Sequence, residues 1–229
     1  MTIWFILLII GAYLLGSVPA AYLVARWSRG IDIRKYGSGN VGASNILTVA
    51  SKRWAVPVII FDVGKGMLAV YVAQLIGLEV YQQAMIGVAA IIGHNWSIFL
   101  GFNGGRGGLT LLGVAFILVP KLTLVLAVIP FTCLLFKQMP VGVLCAVTLL
   151  PIFSWFLRQP FNIEEPLSIT IGSLAILLIV LIKRLTAPRT LVTASVSRGE
   201  LFVNRLLFDR DIRDREAWIH RAPPEQREK

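Results

Sequence analysis

Seven apolar runs follow one another along this chain, and short polar segments separate them. Of its 229 residues, 56% are hydrophobic and only 15% are charged, which is too few charges to cover a water-soluble globule of this size. A helix needs about 20 apolar residues to cross a bilayer. The sequence therefore predicts an all-α polytopic membrane protein with about seven transmembrane helices, over residues 3–25, 54–78, 81–100, 108–120, 122–136, 139–157 and 167–182.

The positively charged residues predict the orientation. Residues 26–53 carry six cations and one anion, and the chain from Lys183 onward carries eleven cations and seven anions. Cations beside membrane segments favour the cytoplasm, so an even number of crossings should separate these two regions. Seven helices satisfy this condition, with the N-terminus outside and the C-terminus in the cytoplasm. Six helices would result if residues 108–136 formed one long helix.

The same reasoning divides the chain into a transmembrane domain over residues 1–183 and a basic cytoplasmic tail over residues 184–229. In the tail, apolar residues from Leu201 to Phe208 surround Arg205 and precede Arg210. This pattern is compatible with an amphipathic helix in the membrane interface. It is equally compatible with a solvated, partly ordered tail.

Residues 37–45, the first glycine loop, follow the cations Arg34 and Lys35 and read Gly-Ser-Gly-Asn-Val-Gly-Ala-Ser-Asn. Glycines let the backbone point successive N–H groups inward, and short polar side chains add donors without bulk. A second glycine loop, residues 101–108, contains Arg106 among its glycines. Both loops suit phosphate, which suggests a reaction between two phosphorylated molecules at the bilayer surface.

The remaining composition argues against several other classes. The basic residues cluster beside membrane segments, where they attract anionic headgroups or substrates, so we expect membrane lipids and no nucleic acid as partners. Cys133 and Cys145 both lie in apolar runs and outside any Cys-x-x-Cys or Cys/His cluster, so we expect no metal site. We also expect no cofactor.

Four motifs occur in order between residues 13 and 115 and resemble one known family. They are Gly16-Ser-Val-Pro19, Arg34 with the first glycine loop, Asp62-x-x-Lys65-Gly66, and Gly93-His94-Asn-Trp-x-x-Phe99 followed by Gly104-Gly-Arg-Gly107. Together they resemble the acyl-phosphate-dependent glycerol-3-phosphate acyltransferases of bacterial membranes.

This resemblance implies a seven-helix enzyme in the inner (cytoplasmic) membrane, with its active site facing the cytoplasm. It implies acyl phosphate and glycerol 3-phosphate as substrates and transfer of a fatty acyl group to the 1-hydroxyl. The product would be lysophosphatidic acid, an intermediate of phospholipid biosynthesis. Residues 1–183 would then be an acyltransferase-like domain.

The resemblance also implies roles for particular residues. Ser38, His94 and Arg106 would be catalytic. Substrate binding would involve a larger set, namely Arg34, Gly37, Gly39, Asn40, Gly42, Asn45, Lys65, Gly104, Gly105 and Gly107. Purely structural roles are open for several of them, such as a turn cap for Ser38 or neutralisation of Lys65 by Asp62.

Five positions depart from the family pattern, two of them mildly, since Val41 and Ser44 stand where a proline and a threonine are usual. Thr48 stands where members usually carry an arginine, and Asn103 and Arg106 stand where lysines are usual. The family's third motif, a His and an Asn shortly before an Arg-Leu pair, is reduced in this chain to Ile182-Lys-Arg-Leu185. Two alternative functions therefore stay open: a non-catalytic or transport-type membrane protein with the same fold, or an acyltransferase with another phosphorylated acceptor.

Overall fold

The computed structural model describes residues 2–188, 193 and 196–220, and this part of the chain is all-helical. Two short 3₁₀ turns, Ile33–Lys35 and Ile98–Leu100, lie next to the glycine loops. The helices are α1 Thr2–Ser17, α2 Ala20–Arg29, α3 Ala43–Val49, α4 Lys52–Leu75, α5 Val80–Asn95, α6 Gly108–Leu118, α7 Pro120–Leu135, α8 Met139–Phe156, α9 Pro166–Leu185, α10 Arg198–Phe208 and α11 Arg215–Ile219.

Five segments are helical, long and apolar enough to cross a membrane. They are Ile3–Arg29, Lys52–Leu75, Val80–Leu100, Met139–Phe156 and Pro166–Leu185. Residues 108–136 do not form one long helix, because the backbone leaves helical geometry at Val119 and Pro120 starts α7. These residues instead form the two shorter apolar helices α6 and α7.

The first predicted span, residues 3–25, is divided into two helices. The residue before a proline is biased away from helical geometry, and Pro19 supplies no N–H to continue α1. α1 accordingly ends at Ser17 and α2 begins at Ala20. This break leaves backbone carbonyl groups at the end of α1 without helical partners. Two of them accept hydrogen bonds from side chains in other parts of the chain.

Glycines allow the central helices to approach closely. A Cβ on Gly93 of α5 would come under 3.0 Å from backbone atoms of α1, and a Cβ on Gly16 of α1 would do the same with α5. In the same way, a Cβ on Gly66 of α4 would come under 3.0 Å from the backbone of α6, and a Cβ on Gly113 of α6 would come as close to the backbone of α4. Small residues at such contacts are typical of membrane helix packing, where close backbone approach replaces the hydrophobic drive.

Seven of the helices, α1 and α4 to α9, alternate in direction. Contacts between segments show that α1, α5, α7 and α9 end at the same end of the bundle at which α4, α6 and α8 begin; we call it the loop end and the opposite one the far end. Contacts at the loop end include Val41 with Gly105, Arg106 with Lys183 and Arg184 with Pro140. Both glycine loops and the two tail helices therefore share the loop end.

Candidate functional site

The first glycine loop is organised by the side chain of Asn45, which lies in the first turn of α3 and is buried. Its Nδ2 donates to the carbonyl oxygens of Ile33 at 3.2 Å, Tyr36 at 3.0 Å and Asn40 at 3.0 Å. Its Oδ1 accepts the backbone N–H of Ser38 at 3.0 Å. The amide is thus engaged within the protein, and its contribution to a substrate site is to shape the loop.

The glycines of the first loop are required by its geometry. Gly37 and Gly39 have positive φ angles of 57° and 72°, which glycine adopts without strain. A Cβ on Gly37 would also come under 3.0 Å from the Asn45 side chain. Between these glycines, the half-buried Ser38 accepts the backbone N–H of Asn40 on its Oγ at 3.3 Å. The Ser38 hydroxyl hydrogen can therefore be donated to a ligand.

Arg34 lies beside the first loop and is paired with Asp32. Its Nη2 lies 2.7 Å from Asp32 Oδ2, and its Nη1 reaches the carbonyl of Leu100 at 3.5 Å. The hydrogen bonds from Arg34 hold the pKa of the Asp32 carboxyl below its usual range. This arginine links the first loop to the 3₁₀ turn that precedes the second loop.

The second glycine loop packs directly on the end of α5. The backbone N–H of Gly104 donates to Asn95 O at 3.2 Å, and that of Gly105 donates to His94 O at 3.0 Å. A Cβ on Gly104 or Gly105 would come under 3.0 Å from atoms of α5. Gly107, with a φ of 72°, then turns the chain into α6.

The two glycine loops touch each other. A Cβ on Gly105 would come under 3.0 Å from both His94 Nε2 and the carbonyl oxygen of Val41 in the first loop. Residues 37–45 and 101–108, separate in sequence, therefore form one surface. This is the arrangement that two phosphate-binding loops need if their ligands are to react with each other.

Beneath the loops lies a buried group of charged side chains. Asp62 Oδ1 lies 2.9 Å from Lys65 Nζ and 3.5 Å from His94 Nδ1. Lys65 also donates to Val18 O at 3.3 Å, one of the carbonyls left by the break at Pro19. Lys65 is thus engaged by Asp62 and by the carbonyl of Val18. The His94 ring lies between Asp62 and Gly105.

Arg106 extends from the second loop toward the end of α9. Its Nη1 donates to Lys183 O at 3.0 Å, and its Nε lies 3.2 Å from Asp209 Oδ1. Its side chain keeps 24% of its surface exposed. An arginine that is oriented by one hydrogen bond and one ion pair and is still accessible is suited to bidentate binding of a phosphate.

The residues of the reduced third motif are buried at the same place. Lys183 Nζ donates to Asn95 O and lies over the Trp96 ring, 5.2 Å from its centroid. Arg184 instead donates to Leu206 O and to Pro140 O, each at 2.6 Å. Lys183 therefore adds charge beside the second loop, whereas Arg184 fastens α10 to α8.

Two polar residues of this site were not among the residues predicted from the sequence. Asn95 is fully buried, and neither atom of its carboxamide makes a hydrogen bond within the described residues. A buried group in that state costs about 1–3 kcal/mol, so a polar ligand reaching this corner would gain hydrogen bonds there. Asp209 belongs to the tail. It stands among several other charged residues in the sequence, and this pattern does not indicate a contact with Arg106.

Other features lie away from the loops. A depression of about 400 Å³ lies in the connection between α8 and α9 at the far end, beside Arg158 and Glu164. Thr48 is exposed on α3, and its hydroxyl donates to Ser44 O at 3.3 Å. Among the described residues, no group of three or more His, Cys, Asp or Glu side chains could hold a metal ion.

Comparison with known proteins gives a consistent result. The family model described as Glycerol-3-phosphate acyltransferase matches residues 6–193. "Glycerol-3-phosphate acyltransferase 4" of Dehalococcoides mccartyi strain CBDB1 is 45% identical over 217 residues, covering 95% of this chain and 94% of the relative. "Glycerol-3-phosphate acyltransferase 5" of D. mccartyi strain 195 is 46% identical over 228 residues, covering 99% of this chain and 98% of the relative.

A solved structure is similar over nearly the whole fold. It is the crystal structure of PlsY (YgiH), an integral membrane glycerol 3-phosphate acyltransferase, in its glycerol 3-phosphate form. The two chains are 28% identical with a TM-score of 0.71, and the match covers 92% of this chain and 95% of that one. The lysophosphatidic acid form of the same protein matches with a TM-score of 0.70.

Proposed function

The chain belongs to the glycerol-3-phosphate acyltransferase family, and from this premise we propose its reaction in detail. It transfers a fatty acyl group from an acyl phosphate to the 1-hydroxyl of glycerol 3-phosphate, which gives lysophosphatidic acid for phospholipid biosynthesis. The observation that carries the proposal is the contact between the two glycine loops at Val41 and Gly105. Two phosphorylated substrates held by adjoining loops would have their reacting groups side by side.

The reaction requires the protein chiefly to position the two substrates and to neutralise charge. An acyl phosphate is a mixed anhydride with a good leaving group. The hydroxyl oxygen attacks the acyl carbonyl carbon, the bond from that carbon to the phosphate oxygen breaks, and inorganic phosphate leaves. The phosphate takes up the hydroxyl proton, since phosphate oxygens are basic near neutral pH. Fixed cations and N–H groups that face the developing charge lower the barrier.

Arg106 is the residue that meets the phosphate of the donor in this proposal. It is accessible, and a hydrogen bond to Lys183 O and an ion pair with Asp209 orient it. The backbone of Gly104, Gly105 and Gly107 leads into the N-terminus of α6, where free N–H groups and the helix dipole favour an anion. Lys183 adds a second cation beside the same loop.

Glycerol 3-phosphate binds at the first loop in this proposal. Ser38 donates its hydroxyl hydrogen, Gly37, Gly39 and Gly42 let the backbone turn around the ligand, and Asn45 holds the loop in shape. The cations Arg34 and Lys35 draw a small soluble dianion to this face. His94 acts by holding the second loop between Asp62 and Gly105; a direct contact of its ring with substrate stays a prediction.

The acyl chain of the donor fits an apolar groove of about 180 Å³ between α1 and α4. Leu8, Gly11 and Leu15 line it on α1, and Leu68 and Val72 line it on α4. One turn further toward the loop end, Lys65 donates to Val18 O across the same pair of helices. The groove therefore lies on the side of this contact away from the loops, where the apolar tail of a donor with its phosphate at the loop end would lie.

The topology that we propose has seven crossings, an outside N-terminus, a cytoplasmic C-terminus and an active site open to the cytoplasm, in the inner membrane of a bacterium. The alternating direction of α1 and α4 to α9 supports it, as does the charge bias of residues 26–53. Single cysteines at the exposed positions Ser44 and Glu164 should react with a membrane-impermeant reagent from opposite sides. Reaction of both from one side would contradict this topology.

The tail helix α10 lies in the membrane interface in this arrangement. Its buried face is polar and includes Asn204 and Arg205, whereas Phe202 and Val203 are exposed, with 52% and 47% of their surface accessible. A helix with its apolar side outward needs an apolar environment on that side, and acyl chains beside α8 and α9 provide one. Nitroxide labels at Phe202 and Val203 in the vesicle-embedded protein should be relaxed by oxygen more than by a water-soluble quencher, and the reverse would contradict this placement.

The deciding assay uses purified full-length protein, acyl phosphate and labelled glycerol 3-phosphate, with acyl-CoA as the comparison donor. We expect labelled lysophosphatidic acid with acyl phosphate and a far lower rate with acyl-CoA. Equal rates with both donors would refute the donor assignment. Binding of acyl phosphate without transfer to any phosphorylated acceptor would favour the non-catalytic alternative.

A further inference from the structure

Asp209 brings a carboxylate from the C-terminal segment into contact with the second glycine loop. Its Oδ1 lies 3.2 Å from Arg106 Nε, and the two side chains keep 16% and 24% of their surface exposed. Asp209 lies beyond residue 193, where the family match ends. The site built from the two loops thus includes a charged group from outside the matched region.

The local backbone favours glycine at this position, although aspartate tolerates it better than most residues do. Asp209 follows the C-terminus of α10 with φ 55° and ψ 39°, a left-handed conformation in which glycine is preferred. A negative charge at the C-terminus of a helix is also opposed by the helix dipole. A nearby cation must offset this unfavourable interaction of the Asp209 carboxylate with the helix dipole. Among the described residues, Arg106 is the cation within 4 Å.

The surrounding residues fix Asp209 in place. Its backbone N–H donates to Arg205 O, and Arg205 forms a buried ion pair of 2.7 Å with Asp211. Arg184 donates to the carbonyl oxygens of Leu206 at 2.6 Å and Leu207 at 3.4 Å, which caps the end of α10. A strained residue persists where its neighbours over-determine it, and such residues often serve function.

The contact restricts the orientation of Arg106. A guanidinium carries five N–H donors in a rigid plane. Asp209 forms an ion pair with Nε, at which no hydrogen bond is made, and Lys183 O accepts one hydrogen of Nη1. Within the described part of the chain, the remaining N–H groups of Nη1 and Nη2 are left for a ligand, and two anchor points set the plane in which they lie.

We propose that Asp209 is a positioning residue that holds the Arg106 guanidinium in the orientation in which it binds the donor phosphate. The proposal rests on the function proposed above. In a competing arrangement the carboxylate would occupy the position of the phosphate and inhibit binding. The two arrangements predict opposite effects of removing the carboxylate. Loss of a positioning group weakens donor binding, whereas loss of a competitor strengthens it.

The experiment compares Asp209→Gly, Asp209→Asn and Asp209→Glu in the full-length protein. Glycine suits the left-handed backbone, so Asp209→Gly should keep or raise the thermal unfolding midpoint. We expect both Asp209→Gly and Asp209→Asn to lower kcat/KM for acyl phosphate about 10-fold or more, with little change in KM for glycerol 3-phosphate. Asp209→Glu, which keeps the carboxylate, should restore part of the loss. The matched control is Glu200→Gln, an exposed carboxylate of the same helix.

A second comparison tests that the effect passes through Arg106. In an Arg106→Ala background, Asp209→Asn should change kcat/KM by less than about 2-fold, because residues acting through one contact are not additive. Unchanged or improved kcat/KM in Asp209→Gly would overturn the proposal, as would a loss matched by Glu200→Gln. If the unmodified protein transfers no acyl group, the proposed function itself fails. If it is active and the Asp209 variants match it, only this inference fails.

Discussion

The carbonyl oxygen of Val41 and the Cα of Gly105 lie so close that a side chain on Gly105 could not fit between them. This contact joins the two glycine loops, and His94 Nε2 closes the same space from the side of α5. The distance between the proposed donor and acceptor sites is therefore set by a residue that contributes no side chain.

Gly105→Ala should inactivate the enzyme without unfolding it. The added methyl group would come under 3.0 Å from Val41 O and His94 Nε2, so the loops must separate. A displacement of about 1 Å can cost on the order of 100-fold in rate. Gly199→Ala, on α10 and away from both loops, is the comparison, because a Cβ there meets nothing within 4 Å, and it should keep most of its activity. Similar kcat/KM values for the two variants would show that the contact is unimportant.

Arg106→Ala should remove a charge-assisted contact with the donor phosphate. We expect a loss of about 2–4 kcal/mol of transition-state stabilisation, or about 30- to 1,000-fold in kcat/KM for acyl phosphate. Arg106→Lys should keep part of the activity, since it preserves the charge and loses the bidentate donors. The measurement is steady-state transfer with acyl phosphate varied at saturating acceptor. A near-normal kcat/KM in Arg106→Ala would remove this residue from the donor site.

Ser38→Ala should affect the acceptor more than the donor. Losing a hydrogen bond to a charged ligand costs about 1.5–3 kcal/mol, which predicts a rise of about 10-fold or more in KM for glycerol 3-phosphate. Ser44→Ala, an exposed serine of α3, should behave like the unmodified protein. Equal changes in KM for both substrates would mean that Ser38 serves the shared transition state.

Asn45→Asp should damage the first loop more than Asn45→Ala does. The substitution sets a carboxylate oxygen against the carbonyl oxygens of Ile33, Tyr36 and Asn40, while alanine only leaves them without that donor, at about 1–3 kcal/mol for each buried group. Both variants should lower the thermal unfolding midpoint and raise KM for glycerol 3-phosphate. Thr48→Ala, on the exposed side of α3, is the control. A milder effect of Asp than of Ala would contradict the hydrogen-bond assignment.

Gly11→Leu should shorten the preferred acyl chain. Gly11 lines the apolar groove between α1 and α4, and a Cβ there meets nothing within 4 Å, so the helix can accept a larger residue. Each methylene excluded from the groove costs about 0.8 kcal/mol of burial. Competition between long and short acyl phosphates measures the shift. Gly64→Leu, on α4 but outside the groove, should leave the preference unchanged.

The loops were predictable from sequence because their signal is local. Glycines within a nine-residue stretch predict a tightly turned backbone, and Gly37 and Gly39 do have positive φ angles; the binding of phosphate there stays a prediction. Membership of the family was likewise carried by four short ordered motifs and is confirmed. The all-helical architecture followed from composition alone.

The inward or outward direction of each polar side chain was not predictable in the same way. Nothing local distinguishes Asn45, which folds the loop from inside, from Ser38, whose hydroxyl stays half-buried at its surface. The roles of Asn95 and Asp209 depend on helix ends that meet only in the folded chain. From the sequence, only the positive charge of Lys183 was evident. In the structure, Arg106 donates to the backbone carbonyl oxygen of this residue. Such long-range contacts have no pattern in a single sequence.

The short helix α6 has a consequence for where the reaction takes place. Its 11 residues span about 16 Å, roughly half of the ~30 Å hydrocarbon core. Its C-terminal end packs with Phe161 and Ile163 of the connection at the far end. In a bilayer, the second glycine loop at its other end would therefore sit well below the surface. A water-soluble acceptor would have to reach below the headgroups, while a lipid-like donor could enter sideways from the bilayer, and its reactive anhydride would stay shielded from bulk water until the acceptor arrives.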